Sequence, residues 1–204
     1  MKKFSRFGNH FLIGWSNYVE VMKLEPHYLK YLAETQDKDY ILLDLMANYG
    51  NDVWNFAYFL TRSSDAADDL SQDVFLSVYD RIYSFRGECT MKSWILTITR
   101  NKSLNYLKKQ LIRKILPVKT VPHGGTVQSA ESQLFDRMET KRIWSAVIQL
   151  PRKFREVVIL DAHYGLTDKE IAELLNISQG TVKSRLHRAR TKITVILETD
   201  NEGE

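Results

Sequence analysis

Residues 167–193 constrain this chain more than any other stretch, because they read as two short helices meeting across a tight turn. Thr167 stands three residues before Glu170. At that spacing a threonine hydroxyl caps the amide at the third helical position while the glutamate reaches back to the threonine amide. Ile171, Ala172 and Leu175 then recur on one face. Asn176 tolerates the left-handed backbone that ends a helix, Ile177 plugs the turn, and Ser178 suits the cap of the next helix. Val182, Leu186 and Ala189 fall on its inner side. Small Ala172 lets the two helices approach closely, and Val182 fills the angle between them. This is the spacing of a helix-turn-helix.

The outer side of the second helix carries Gln179, Thr181, Lys183, Ser184, Arg185, His187, Arg188 and Arg190. Between residues 176 and 197 there are five Lys or Arg and no Asp or Glu. In a helix-turn-helix the first residues of the second helix meet base edges in the major groove. There glutamine suits adenine, arginine suits guanine, and basic side chains anchor phosphates. A solvated helix that is merely basic is the competing reading. The agreement of cap, turn and charge weighs against it, so DNA is the expected partner.

The rest of the chain divides by charge. The net charge is only +4, but it is unevenly spread. Residues 100–121 carry Arg100, Lys102, Lys108, Lys109, Arg113, Lys114 and Lys119 with no acid, whereas residues 63–80 hold Asp65, Asp68, Asp69, Asp73 and Asp80 with no base. Two faces of opposite sign imply two kinds of partner. A hydrophobic content of 44% over 204 residues is enough for packed cores and argues against a disordered chain.

One cysteine, Cys89, excludes an internal disulfide framework and fits a reducing cytoplasm. The basic start is followed by Gly8, Asn9, His10, Gly14 and Ser16, which break any signal-peptide core. No run of about eighteen apolar residues suggests a membrane span. The expected localisation is cytoplasmic. The chain has no phosphate-binding or dinucleotide glycine pattern. Its histidines, His10, His27, His123, His163 and His187, are scattered without metal-ligand spacing. No cofactor, metal or small-molecule substrate is expected, and the chain does not read as an enzyme.

Along its length the chain separates into an aromatic, irregular stretch (1–38), a helical unit (39–110), a linker (111–137) containing Pro117, Pro122, Gly124 and Gly125, a second helical unit (138–197) and a short acidic, frayed tail (198–204). Neither repeats nor hairpin signals appear. The expected class is all-α: two small helical domains joined by a flexible linker.

In the first unit Leu42, Leu43, Leu45, Met46, Tyr49, Val53, Phe56, Ala57 and Leu60 predict a helix buried over a broad face. Residues 63–65 break it. The next helix, over 66–82, buries Leu70, Val74, Phe75, Val78 and Ile82 and turns Asp68, Asp69, Gln72 and Asp73 outward. Acids in the first turns also favour the helix dipole, so a plain surface helix is the alternative. A loop with Tyr83, Phe85, Gly87 and Trp94 leads into a helix bearing Arg100, Asn101, Lys102, Tyr106, Lys108 and Lys109. Aromatics beside a positive helix suit stacking on unpaired bases while tracking phosphates. Core packing is the competing reading for Phe85 and for Trp94.

These pieces, in this order, resemble a known group. The matching residues are 67–75 (Ala-Asp-Asp-Leu-Ser-Gln-Asp-Val-Phe), 85–87 (Phe-Arg-Gly), 93–101 (Ser-Trp-Ile-Leu-Thr-Ile-Thr-Arg-Asn), 150–160 (Leu-Pro-Arg-Lys-Phe-Arg-Glu-Val-Val-Ile-Leu) and the stretch 167–192. Within the last of these, 180–185 (Gly-Thr-Val-Lys-Ser-Arg) and 188–190 (Arg-Ala-Arg) lie nearest the pattern. Together they resemble bacterial sigma factors of the extracytoplasmic-function group, sigma-70 family, with regions 2 and 4 only.

The resemblance implies roles by region. Asp68, Asp69, Gln72 and Asp73 would dock on the clamp helices of the largest subunit of core RNA polymerase. Tyr83, Phe85, Trp94, Arg100, Asn101, Lys102, Tyr106, Lys108 and Lys109 would recognise and open the promoter −10 element, with Asn101 at the centre of base capture. Gln179, Thr181, Lys183, Ser184, Arg185, His187 and Arg188 would read the −35 element. An anti-sigma factor is the further partner it implies. The rival reading is a two-domain helix-turn-helix regulator that is not a polymerase subunit; such a regulator needs no strand-opening block. Residues 1–38 exceed the short lead usual in the group. An accessory segment, a partner contact and an upstream start with Met22 as the alternative beginning all remain open.

Overall fold

The computed structural model describes residues 37–115 and 138–201. The aromatic, irregular stretch before residue 37, the Pro- and Gly-containing linker over 116–137 and the acidic end over 202–204 lie outside the described residues. Among the described residues there are seven α-helices and one 3-10 turn, with no strand.

Helix α1 (Lys38–Thr61) starts where the Asp37 carboxylate accepts the amides of Asp39 and Tyr40 at 3.0 and 3.2 Å. It stops at Arg62, whose φ of 60° is left-handed and whose amide returns to the Tyr58 carbonyl at 2.7 Å. Ser63 then caps α2 (Ser64–Arg81) by accepting the Ala66 amide at 3.2 Å. Arg62 therefore ends one helix and Ser63 starts the next, its hydroxyl accepting a free first-turn amide. A 3-10 turn (Ile82–Ser84) and Gly87, at a φ of 70°, carry the chain to Thr90. The Thr90 hydroxyl accepts the Ser93 amide at 3.1 Å and opens α3 (Met91–Ile115).

Helix α3 overruns the expected boundary at 110 by five residues. Residues 108–115 are lysine, arginine, leucine and other helix formers, and the first breaker is Pro117. The apolar face expected for α1 is also narrower than its composition suggested. Ile41, Leu45, Tyr49, Val53, Phe56 and Leu60 are buried, but Leu43 and Met46 stand 65% and 45% exposed. They lie off the stripe that α2 and α3 cover.

The second unit contains α4 (Met138–Gln149), α5 (Arg152–Ala162), α6 (Asp168–Leu175) and α7 (Gln179–Asn201). Helix α7 runs on into the stretch expected to be a frayed tail. Gly165, at a φ of 66°, turns the chain between α5 and α6.

Two apolar clusters form. One lies wholly within α1, α2, α3 and the turn after α2, around Ile41, Leu45, Val74, Ile82, Met91 and Ile95. The other is shared between the units: Phe56, Phe59, Leu60 and Leu96 join Trp144, Leu150, Ile159, Tyr164, Ile171 and Leu186. Accordingly α5 packs on α1, and α6 packs on α3.

Candidate nucleic-acid interface

The helix-turn-helix is built from the caps its sequence implied. Thr167 accepts the Glu170 amide at 3.3 Å, and the Glu170 carboxylate accepts the Thr167 amide at 2.8 Å, closing the reciprocal box. Asn176 takes a left-handed φ of 54°. The Ser178 hydroxyl accepts the Thr181 amide at 3.1 Å and lies 2.8 Å from the Thr181 hydroxyl. Val182, Leu186 and Ala189 are buried, while Gln179, Lys183, Ser184, His187 and Arg188 are exposed. Arg185 is half-buried. Of the predicted readers, Thr181 is engaged in capping, and the Ser184 hydroxyl donates to the Thr181 carbonyl at 3.0 Å.

Two ion pairs seat α7. Arg190 Nη2 lies 3.0 Å from Asp161 Oδ2 on α5, and Lys183 Nζ lies 4.0 Å from Asp168 Oδ2 on α6. Burial pushes the Asp161 carboxyl up from its ordinary range, against the opposing pull of the Arg190 guanidinium.

The −10 candidates separate into distinct groups. Tyr83 is 54% exposed in the middle of the 3-10 turn, with the Lys38 ammonium 5.1 Å from its ring centre. Phe85 is buried and lies 5.4 Å from the Trp94 ring, so the core reading holds for Phe85 while Trp94 is only partly covered. On α3, Asn101, Lys108 and Lys109 are exposed, and Lys102 and Tyr106 are half-buried. The Tyr106 hydroxyl accepts from Gln110 Nε2 at 2.6 Å. Arg100 stands apart. Residues two apart on a helix point to nearly opposite sides, roughly 200° around, so Arg100 and Lys102 cannot grip the same phosphate. Arg100 instead faces the second unit, where its Nη2 lies 3.4 Å from Glu156 Oε2.

The acidic candidates on α2 also sort by angle. Asp69, Gln72 and Asp73 are exposed on one stripe. Asp68, also exposed, borders the stripe one turn before Gln72 and accepts the Trp54 indole N–H at 2.7 Å. Leu76, 64% exposed, sits in the middle of the stripe between Asp73 and Asp80. Sequence reasoning passed over it because one exposed leucine in a helix carries no periodic signal.

Sequence reasoning also missed the contacts between the units. The Tyr164 hydroxyl donates to the Asp52 carbonyl at 2.7 Å. Lys92 Nζ lies 3.1 Å from Asp52 Oδ2 and 5.8 Å from the Tyr164 ring centre. Phe59 packs against Trp144 at 5.1 Å and edge-on to His163 at 6.0 Å, and Arg62 Nη2 donates to the Leu150 carbonyl at 3.3 Å. Nearby, the buried Arg155 guanidinium donates to the Ile148 carbonyl at 2.9 Å. Burial, with Arg62 close by, lowers its pKa to about 10. No pattern in the sequence pairs these residues, since each contact joins positions far apart in the chain.

His163 gives this interface a pH dependence. Burial lowers its pKa, Asp52 partly opposing and Lys92 adding to the shift. Above an ordinary value of about 6.5 the imidazole is neutral in both folded and unfolded chains. As the pH falls below that value, the unfolded chain takes up a proton that the folded chain resists, so stability is lost. The melting temperature is therefore expected to drop between about pH 7.5 and pH 5.5, with a smaller drop in His163→Gln. Asp161, whose pKa is raised, acts in the opposite sense but only near the carboxylate range. Equal drops in both proteins would remove His163 from the account.

Among the described residues, no group of three or more His, Cys, Asp or Glu could hold a metal ion. Nor is any described helix long and apolar enough to cross a membrane.

With this geometry in place, comparison with known proteins is direct. The family model for Sigma-70 region 2 matches residues 45–111, and that for Sigma-70 region 4 matches residues 140–193. The RNA polymerase sigma factor SigZ of Bacillus subtilis (strain 168) is 37% identical over 131 residues, covering 64% of this chain and 72% of that protein. The ECF RNA polymerase sigma factor SigM of the same organism is 29% identical over 149 residues, covering 72% of this chain and 90% of SigM. Among solved structures, the sigma factor RpoE of Bartonella quintana, in complex with the anti-sigma factor NepR, superposes with a TM-score of 0.62 at 23% identity. That match covers 80% of this chain and 99% of RpoE, and it speaks to the fold alone. Both family regions fall in order on the two helical units, and the chain belongs to the sigma-70 family, among its extracytoplasmic-function RNA polymerase sigma factors.

Proposed function

We propose that the three surfaces of this sigma factor divide promoter recognition between them. The observation that carries the reading is their separation: an exposed acidic stripe on α2, an exposed basic face on α3, and an exposed basic face on α7. An acidic stripe is a liability on DNA, whose phosphates supply most of the non-specific attraction. On a subunit that must also hold a protein it is useful. Asp69, Gln72 and Asp73, with Leu76 as the apolar contact just beyond them on the same stripe, dock on core polymerase. Asp68 positions Trp54 and contributes at the edge.

The outer face of α7 reads the −35 element through Gln179, Lys183, Arg185 and Arg188, with Ser184 and His187 at its border. Asn101, Lys102, Tyr106, Lys108 and Lys109, together with Tyr83 and Trp94, take the −10 element as a single strand. Unstacking a base costs a few kcal/mol, which base capture and phosphate contacts offset. Polymerisation chemistry stays with the core enzyme, and the place of action is the cytoplasm. The RpoE relative was solved with an anti-sigma factor bound, which supports a partner of that kind for this chain.

Arg185 offers a sharp test. Arg185→Ala is expected to cost about 1–3 kcal/mol of −35 binding and to relax base preference at one position. Binding measured against a panel of single-base variants distinguishes the roles. A loss that is uniform across the panel assigns Arg185 to a phosphate and takes it out of base reading.

A further inference from the structure

We infer that the outer face of α1 is the docking surface for the basic, aromatic segment at residues 1–22 of this same chain. The inference goes beyond the promoter and polymerase surfaces and does not depend on them.

Helices α2, α3 and α5 pack against α1, and its inner side buries Ile41, Leu45, Tyr49 and Val53. On the outer side Leu43 is 65% exposed and Met46 45% exposed, with Tyr40, one turn earlier, at 59%. Exposed Ala47 follows one turn after Leu43. Of the eight large apolar side chains exposed among the described residues, three therefore fall within two turns of one helix. A lone exposed leucine is ordinary, but a contiguous apolar group marks an interaction site.

Gly50 continues the stripe, seven residues after Leu43. Glycine is disfavoured in a helix interior relative to alanine. Here it sits inside α1 without a positive φ, so no turn requires it. A Cβ at Gly50 would meet no heavy atom within 4 Å among the described residues, so their packing does not require it either. The use left for the missing side chain is close approach by another stretch of backbone.

Charge selects the occupant. The first two turns of α1 carry Asp37, Asp39 and Asp44. Lys38 is the one base between residues 37 and 61, and its ammonium already lies over the Tyr79 and Tyr83 rings at 4.9 and 5.1 Å. Such a face repels DNA phosphates. A second copy of the chain would set acid against acid. A basic apolar segment fits, and the chain supplies one next to the helix. Residues 1–19 hold Lys2, Lys3 and Arg6 and no acid. Phe4, Phe7, Phe11, Trp15, Tyr18 and Met22 recur every three or four residues, the repeat that matches a helical stripe.

The tether permits the contact. Residues 23–36 reach about 50 Å at full extension, whereas Tyr40 to Gly50 spans only about 15 Å of helix. A short tether holds the segment at an effective concentration of about millimolar, so a modest contact stays populated. A chain begun at Met22 would keep the stripe and lose its occupant.

The test uses the full chain without polymerase or DNA. Leu43→p-benzoylphenylalanine places a photo-crosslinker on the stripe, and mass spectrometry identifies the peptide joined to it. Peptides from residues 1–22 are expected, and a mixture of heavy-isotope and ordinary chains is expected to give crosslinks within one isotope only. Asp39→Lys with Asp44→Lys lowers the yield about fivefold, as two attractions become repulsions. Lys2→Glu, Lys3→Glu and Arg6→Glu together lower it similarly, and combining both sets restores it. Melting curves check that each variant folds. No crosslink to residues 1–22 overturns the proposal, and so do crosslinks between isotopes, which assign the face to a second copy. A yield indifferent to either charge reversal overturns it as well. So does an equal yield from Leu111→p-benzoylphenylalanine, on exposed α3 surface, which would make the contact non-specific. Crosslinks that form only after core polymerase is added, and to it alone, give the face to the polymerase instead.

Discussion

The double variant Asp69→Lys, Asp73→Lys binds core polymerase roughly a hundredfold more weakly than the wild-type chain, because two favourable charge contacts become repulsive at the centre of the docking stripe. Both side chains are exposed on α2 and lie outside either core cluster, so the fold and the −35 affinity of the free protein are expected to stay as they were. Leu76→Ala, on the same stripe just beyond Asp73, weakens the same binding to a smaller extent. Fluorescence anisotropy of labelled protein titrated with core polymerase measures all three. A core affinity that survives the double reversal would place the docking surface elsewhere on the chain.

The largest loss of stability is expected from Leu186→Ala. Leu186 is 5% exposed on the inner face of α7 and belongs to the cluster that seats the helix against α5 and α6. Removing its isobutyl group leaves a cavity and costs about 2–5 kcal/mol, a large share of what a small helical unit has to spare. Helix α7 then loses its fixed orientation even though every exposed reader remains in place. The −35 element is expected to go unrecognised at physiological temperature, while α3 retains its affinity for single-stranded −10 DNA. Thermal melting and the two binding assays separate these effects. Equal loss of both DNA affinities would mean that the two units do not fold with separable stability.

Local chemistry explains which features were legible beforehand. The capping box at Thr167, the left-handed Asn176 and the Ser178 cap each depend on residues within four positions of one another, and each is found where its residues imply. The restart at Ser63 is legible for the same reason. Helical periodicity identified the buried stripes but not their width, which is why Leu43 and Met46 were expected inside and stand outside. The width depends on how much of α1 its neighbours cover, a property of packing rather than of sequence. Sequence adjacency likewise grouped Arg100 with Asn101 and Lys102, whereas helical geometry sends Arg100 toward Glu156. That pair is fifty-six positions apart, and a glutamate amid arginines on α5 gives no sign of its partner. Phe85 followed the commoner fate of an aromatic and joined the core.

The most direct test of the central claim is promoter-specific initiation in a defined system. Purified chain is added to core polymerase on a library of genomic fragments, and the 5′ ends of the transcripts are mapped. Discrete new start sites are expected that share sequence near −35 and −10 and disappear with the Asp69→Lys, Asp73→Lys variant. A start-site pattern identical to that of core polymerase alone, with protein that is folded and binds DNA, would contradict it.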